Sequence, residues 1–250
     1  MAEKTDNVPR EIFDASRSKR QKYQHLFIGR PGWTALLRYE VVTMLARGVP
    51  GALGLWLRAR LYPLLLGACG RNVFFGVGVT LRHPHKIRIG NDVVIDDGCV
   101  LDAKGSTNDG ITIGNGVFIG RQTIVNTKDG DIVLEDGVNI SSFCMVFSAS
   151  HVQCGSNTLI AAYCYLVGGD HDASRTDVAI VDQARPSHGI TVGSNCWLGA
   201  SVTVLDGVTI GRDVVVGANS VVTKDLIDFS VAAGSPATRI RVRPVAAQSG

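Results

Sequence analysis

Between Cys69 and Val222 apolar residues recur every six positions. The series runs Cys69, Phe75, Leu81; Ile89, Ile95, Leu101; Ile113, Ile119, Val125; Leu134, Ile140, Val146; Cys154, Ile160, Leu166; Val192, Leu198, Val204; and Ile210, Val216, Val222. Four residues after most of these stands a second small residue, among them Val73, Val93, Cys99, Thr123, Cys144, Thr158, Cys164, Cys196 and Ser220. A helix repeats every three or four residues and an alternating strand every two, so neither produces a strict six. Three hexads make one coil of a solenoid, and stacked coils pair strand on strand about 4.8 Å apart, each inward residue lying over its counterpart. Seven coils predict an all-β prism roughly 34 Å long. Glycine often follows the hexad residue, as at Gly70, Gly90, Gly114, Gly193 and Gly211, and is read as easing the turn.

Between triplets the spacing is six plus an insertion: two residues from Leu81 to Ile89, six from Leu101 to Ile113, three from Val125 to Leu134, two from Val146 to Cys154 and twenty from Leu166 to Val192. Each insertion follows the third hexad of its coil, so all should emerge from one corner of the prism, where a solenoid carries its function. That edge collects Asp102, Lys104, Asn126, Lys128, Asp129, His151, Asp170 and His171. His151 and His171 each lie five residues beyond a third-hexad residue, which predicts that they are neighbours on successive coils.

The segment before the repeats differs. Residues 1–66 carry 11 Lys and Arg against 5 Asp and Glu, a balance of +6, whereas residues 67–250 carry 14 against 17, or −3. Two apolar stretches, Thr34 to Arg47 and Gly51 to Leu66, flank the helix-breaking run Gly48, Val49, Pro50 and Gly51. The second is too short, and too interrupted by Arg58, Arg60 and Pro63, to span a bilayer. Two roles are open to this pair. It would cap the first coil, which a solenoid requires, or it would lie in a membrane surface with Trp56 and Tyr62 as anchors and its arginines reaching headgroups. The first residues are charged and have no apolar signal core, which makes the cytoplasm the expected compartment, with peripheral contact at the inner face of the cytoplasmic membrane. The 29 glycines and the low aromatic content (6%) suit a solenoid. All six cysteines fall on inward positions and are read as small core residues, not as a disulfide framework.

The spacing, with the run NCWLGASVTVLDGVTIGRDVVVGANSVVTKDLIDFSVAAGSPATRIRVRP, resembles the hexapeptide-repeat acyltransferases, and within them the maltose and galactoside O-acetyltransferase branch. The resemblance covers roughly residues 69–243 and implies a left-handed parallel β-helix, acetyl-CoA as co-substrate, a homotrimer with coenzyme grooves between prisms, and no metal. The chain then divides into an N-terminal helical extension (1–66), the β-helix with its inserted loop 167–191 (67–243) and a tail (244–250). Carried over, His171 in Gly168-Gly169-Asp170-His171-Asp172 is the general base, a role for which histidine is suited near neutral pH. Trp197 flanks the active site, and the backbone N–H of Ala200 meets the thioester end of acetyl-CoA. Ala218, Thr223 and Lys224 line the coenzyme groove, with Arg241 near the phosphates. Ser141, His151 and Asp170 are the candidate acceptor-binding residues. The family places Asn where Ser141 stands and Ser where Ala200 stands, and the basic, apolar extension looks more like that of acyltransferases of surface-polysaccharide and lipid-linked sugar assembly.

These readings give an acetyl-CoA-dependent O-acetyltransferase acting on a sugar hydroxyl of a polysaccharide or glycolipid precursor by direct transfer. N-acetylation of an amino sugar is the nearest alternative. No nucleic-acid partner is expected. Two further classes are a metal-dependent hydratase like the gamma-class carbonic anhydrases, which needs three histidines at an interface, and a non-catalytic scaffold. His83, His85, His151, His171 and His188 show no pair at the five-residue separation of the former family.

Overall fold

A computed structural model describes residues 16–244. The hexads form a three-sided parallel β-helix. The first face stacks seven strands from Ala68–Cys69 to Thr209–Ile210, and the third stacks seven from Thr80–Arg82 to Val221–Val222. The second face begins at Phe74–Phe75, runs through Val215–Val216, and gains Ser230–Gly234 and Ala237–Val242 at its end. Register follows the six-residue count through every insertion: Ile89, Ile113, Leu134, Cys154, Val192 and Ile210 lie in one column. Every hexad residue named above except half-buried Cys69 is buried, as are all the second small residues named above. Full burial of each Val, Leu or Ile contributes about 1.5–3 kcal/mol, so this repeated column is the core. All six cysteines are free thiols.

The glycines after the hexad residues act through close approach and not through turn freedom. A Cβ on Gly70 would stand 2.5 Å from the Gly90 backbone, and one on Gly90 2.7 Å from that of Gly114. Neither residue has a positive φ. The left-handed residue of each turn comes two positions later: Asn72, Asp92, Gly116, Gly137, Asn157, Asn195 and Asp213 at the corner between the first and second faces. Asn and Asp tolerate that conformation better than most residues. They also form rungs between coils, as where Asn72 Nδ2 donates to Asp92 Oδ1 at 2.9 Å.

The described part of the N-terminal extension is helical: α1 (Lys19–Tyr23), a π-turn over Gln24–Ile28, α2 (Trp33–Ala46) and α3 (Gly51–Leu61). The 46–51 interruption falls where glycine and proline predict it. Tyr39, Val42, Ala46, Arg58 and Tyr62 turn inward and close the first coil, so the capping role holds. Two expected membrane-facing residues are corrected. Tyr62 packs edge-on against Phe75, 5.2 Å between centroids, and donates its hydroxyl to the Val79 carbonyl. Arg58 is 1% exposed and bonds to backbone carbonyls instead of reaching outward. The opposite side of α2 and α3 exposes Trp33, Leu37, Val41, Met44, Leu45, Leu53 and Trp56. Among the described residues no helix is long and apolar enough to cross a membrane. Residues 1–15 and 245–250, which carry part of the basic extension and nearly all of the tail, lie outside the described residues.

Candidate active site

All insertions leave from the corner between the third and first faces, as the spacing predicts. The longest departs after Tyr165–Gly168 and returns before Ile190–Val192. Its root is a short two-stranded ladder, in which Asp170 N–H donates to the Pro186 carbonyl at 3.0 Å and Asp172 N–H to the Ala184 carbonyl at 2.9 Å. His171, between the two bonded residues, is exposed, as is Asp170. Its own N–H donates to Asp170 Oδ1 at 2.7 Å, which fixes the backbone beside the imidazole. Gln183 is buried within the loop, donating Nε2–H to the carbonyls of Arg175 and Val178 and accepting from Arg175 N–H. Ser187 ties the return limb to the coil below through a 2.7 Å contact with the Ser150 hydroxyl. Gln183 and Ser187 escaped the sequence reading, because a polar residue in a loop carries no periodic signal.

The expected stacking of His151 and His171 does not occur. Gly189 lies over His151, so close that a Cβ there would stand 2.5 Å from the His151 carbonyl oxygen. The insertion leaves the coil before the matching position is reached, and the chain rejoins the column only at Gly189. His151 Nε2 instead lies 3.4 Å from Gln153 Oε1. Gln153 in turn donates to Glu135, whose carboxyl is held below the usual range by hydrogen bonds from Ser156 and Gln153.

The other expected residues divide between two edges. Thr223 and Lys224 follow Val221–Val222 into the same corner as His171 and Asp170, and both are exposed. Ser141, Ala200 and Ala218 lie at the corner between the second and third faces, and Trp197, half exposed, stands on the outer side of the second face over Leu159. Arg241 is exposed on the terminal hairpin, paired with Val231 on that same face. A face of six residues is on the order of 20 Å wide at about 3.3 Å per residue, so one chain does not bring the two groups together. Other titratable residues of the insertion corner have local roles: Asp102 pairs with Arg82 at 3.6 Å and with His83 at 3.3 Å. Among the described residues no three His, Cys, Asp or Glu side chains converge as metal ligands.

The family pattern of bacterial transferase hexapeptides (six repeats) matches residues 189–224, and the hexapeptide repeat of succinyl-transferase matches residues 69–103. The putative lipopolysaccharide biosynthesis O-acetyl transferase WbbJ of Escherichia coli K12 is 31% identical over 57% of this chain and 75% of its own length. The putative colanic acid biosynthesis acetyltransferase WcaF of the same strain is 34% identical over 54% of this chain and 70% of its own. The chain belongs to the hexapeptide-repeat acetyltransferases. A probable acetyltransferase of Mycobacterium tuberculosis is 30% identical over 53% of this chain, which spans 44% of that relative's length. Among solved structures, a mutant of the Bacillus cereus N-acyltransferase AntD, in complex with dTDP and coenzyme A, aligns with a TM-score of 0.52 and 25% identity over 74% of this chain and 88% of that one. The polysialic acid O-acetyltransferase OatWY shares the fold, with a TM-score of 0.56 and 20% identity over 74% and 90% of the two chains.

The surface of this hexapeptide-repeat acetyltransferase suits a coenzyme. Ala200 and Ala218 put small side chains at the corner where an extended pantetheine arm would need clearance. Among the described residues the Ala200 N–H makes no hydrogen bond, while its carbonyl accepts from Asn219 N–H at 2.9 Å. Lys224 and Arg241 have no ion-pair partner among the described residues, which leaves both cations available to phosphates.

Proposed function

We propose that the chain transfers the acetyl group of acetyl-CoA directly to a sugar hydroxyl of a surface-polysaccharide or glycolipid precursor, as a homotrimer. The observation that carries this reading is the split of the site. His171 stands on one prism edge with Thr223 and Lys224, and Trp197, Ala200 and Ala218 stand on or beside another. A groove between two copies, the corner between the third and first faces of one facing the corner between the second and third faces of its neighbour, reunites them, and three copies closed on one another complete the site. His171 accepts the proton of the acceptor hydroxyl as its oxygen attacks the acetyl carbonyl. The Ala200 N–H donates to the oxygen on which negative charge develops, and the coenzyme thiol leaves. Direct transfer without an acyl-enzyme is supported by the burial of five of the six cysteines, including Cys144, the one whose thiol is lowered, by its hydrogen bond with Cys164. WbbJ and WcaF, by name, act in lipopolysaccharide and colanic acid biosynthesis, which supports a glycan acceptor. The similarity to AntD, an N-acyltransferase, supports an amino-sugar acceptor as the second reading.

The chain is proposed to work in the cytoplasm, in peripheral contact with the membrane through the exposed stripe of α2 and α3. The test of the catalytic reading is His171→Ala. Acetyl-CoA affinity and oligomeric state should stay as in the parent while turnover on a panel of nucleotide sugars and lipid-linked glycans falls by about 10² to 10⁴. Unchanged turnover removes His171 from the mechanism, and a monomer in solution removes the shared groove.

A further inference from the structure

The corner between the second and third faces uses one left-handed residue per coil: Gly78, Gly98, Gln122, Phe143, Tyr163, Ser201 and Asn219. Phe143 (φ 59°) and Tyr163 (φ 63°) stand out in that column. A left-handed backbone costs an L-residue roughly 1–2 kcal/mol, and aromatic side chains have no local hydrogen bond to offset it as Asn does. Both rings are also solvent-facing, 49% and 61% exposed, so core packing does not offset the cost either. They stack on each other, with centroids 5.2 Å apart and planes within 5°. That separation is close to the spacing of successive coils, so the stack runs along the prism axis.

The stack stops one coil short of the site. The next residue in the column is Ser201, a single hydroxymethyl group, adjacent in sequence to Ala200. Phe229, the left-handed aromatic residue of the neighbouring corner, is covered by the Arg212 guanidinium at 5.0 Å. Among the described residues no ring or cation of the chain covers the side of Tyr163 that faces the Ser201 coil.

We infer that Phe143 and Tyr163 form a stacking ledge for the pyranose ring of the acceptor, whose apolar C–H face lies on Tyr163 at the level of the Ala200 and Ser201 turn. This rests on the proposed function, because it takes Ala200 as the acetyl end of the coenzyme site. Position selects the sugar ring among flat ligands. The attacking hydroxyl oxygen must come within about 3–3.5 Å of the acetyl carbonyl carbon, and a ring on a ledge one coil of about 4.8 Å below Ala200 permits that. A nucleobase would be held away from the reacting hydroxyl by its diphosphate. The coenzyme's own adenine belongs with its phosphates, toward Arg241 on the terminal hairpin.

Tyr163→Asn and Phe143→Asn separate binding from folding, since Asn suits the left-handed turn and should hold or raise the melting temperature. Saturation-transfer NMR with methyl α-D-glucoside, methyl β-D-galactoside and methyl α-D-mannoside reads sugar contact without turnover, and calorimetry with acetyl-CoA reads the coenzyme site. The expected result is that the parent binds acetyl-CoA and at least one glycoside, whose C–H protons receive saturation. Tyr163→Asn should weaken that glycoside about tenfold, Phe143→Asn less, with acetyl-CoA affinity unchanged in both. Acetyl-CoA binding with no glycoside contact in the parent overturns the ledge and leaves the transferase reading standing. So does undiminished glycoside binding in Tyr163→Asn, or a changed oligomeric state in that variant, which would make the pair an interface between copies. A parent that does not bind acetyl-CoA overturns both.

Discussion

Arg58, on α3, donates its Nε–H to the carbonyl of Phe75 in the first coil at 2.8 Å, from a position with almost no solvent contact. Its Nη1 donates to the carbonyls of Val49 at 2.7 Å and Ala46 at 3.1 Å. One guanidinium therefore closes the end of α2, the turn after it and the open edge of the second face. Arg58→Met keeps much of the packing but leaves these carbonyls without a donor, and should cost about 3 kcal/mol. Thermal unfolding checks this; a melting temperature within a degree of the parent's means that the cap does not depend on Arg58.

For the coenzyme groove, Lys224→Ala and Arg241→Ala should raise the KM for acetyl-CoA severalfold while leaving the acceptor KM and kcat near the parent values. Contacts to phosphates far from the reacting carbonyl supply binding that is equal in ground and transition states. Calorimetry showing parent-like acetyl-CoA affinity in both variants would move the phosphates elsewhere.

His85 gives the protein an acid-sensitive point. Burial first, and then the charges of Arg30, His83 and Lys86, push it down from 6.5 to about 4, against the Ile28 backbone carbonyl, which favours the protonated ring and acts the other way. An unfolded chain takes up this proton below about 6.5 and the folded chain only below about 4, so stability falls as pH falls through that window. His85→Gln should flatten the melting-temperature profile between those limits and leave it unchanged above pH 7. A profile that falls as steeply as the parent's assigns the acid sensitivity to other groups.

The exposed stripe of Trp33, Leu37, Val41, Met44, Leu53 and Trp56 should draw the protein to anionic vesicles at low salt, with roughly 1 kcal/mol from each basic residue near the surface. Leu37→Ser with Trp56→Ser lies on the outer side of the helices and should abolish flotation without lowering the melting temperature. If the parent stays at the bottom of the gradient, the helices only cap the prism.

The repeat was legible almost residue by residue because a solenoid converts chain position into spatial position: one count of six places Ile119 over Ile95 and Ile140 over Ile119. The same rule failed where the count was interrupted. His171 was expected above His151 by counting onward from Leu166, but the insertion had already left the column. Arg58 resembled Arg60 in sequence, and only the carbonyls of a distant coil distinguish them. Phe143 and Tyr163 escaped the sequence reading, because nothing local marks their column as left-handed. The candidate active-site residues were named by resemblance, and their division between two edges emerged only from the fold.

The hairpin at the end of the second face has a consequence for assembly. A stack of parallel strands exposes at its last coil a row of unpaired backbone groups that would accept another strand of the same direction, the geometry by which fibrils grow. Here Ala237–Val242 runs antiparallel to Ser230–Gly234, so the terminal strand has reversed polarity, and Arg239 and Arg241 add like charge along it. With α2 and α3 over the opposite end, the second face closes on a reversed strand at one extremity and on helices at the other. End-to-end strand pairing through that face is thereby disfavoured, which directs its contacts with other copies to the sides of the prism.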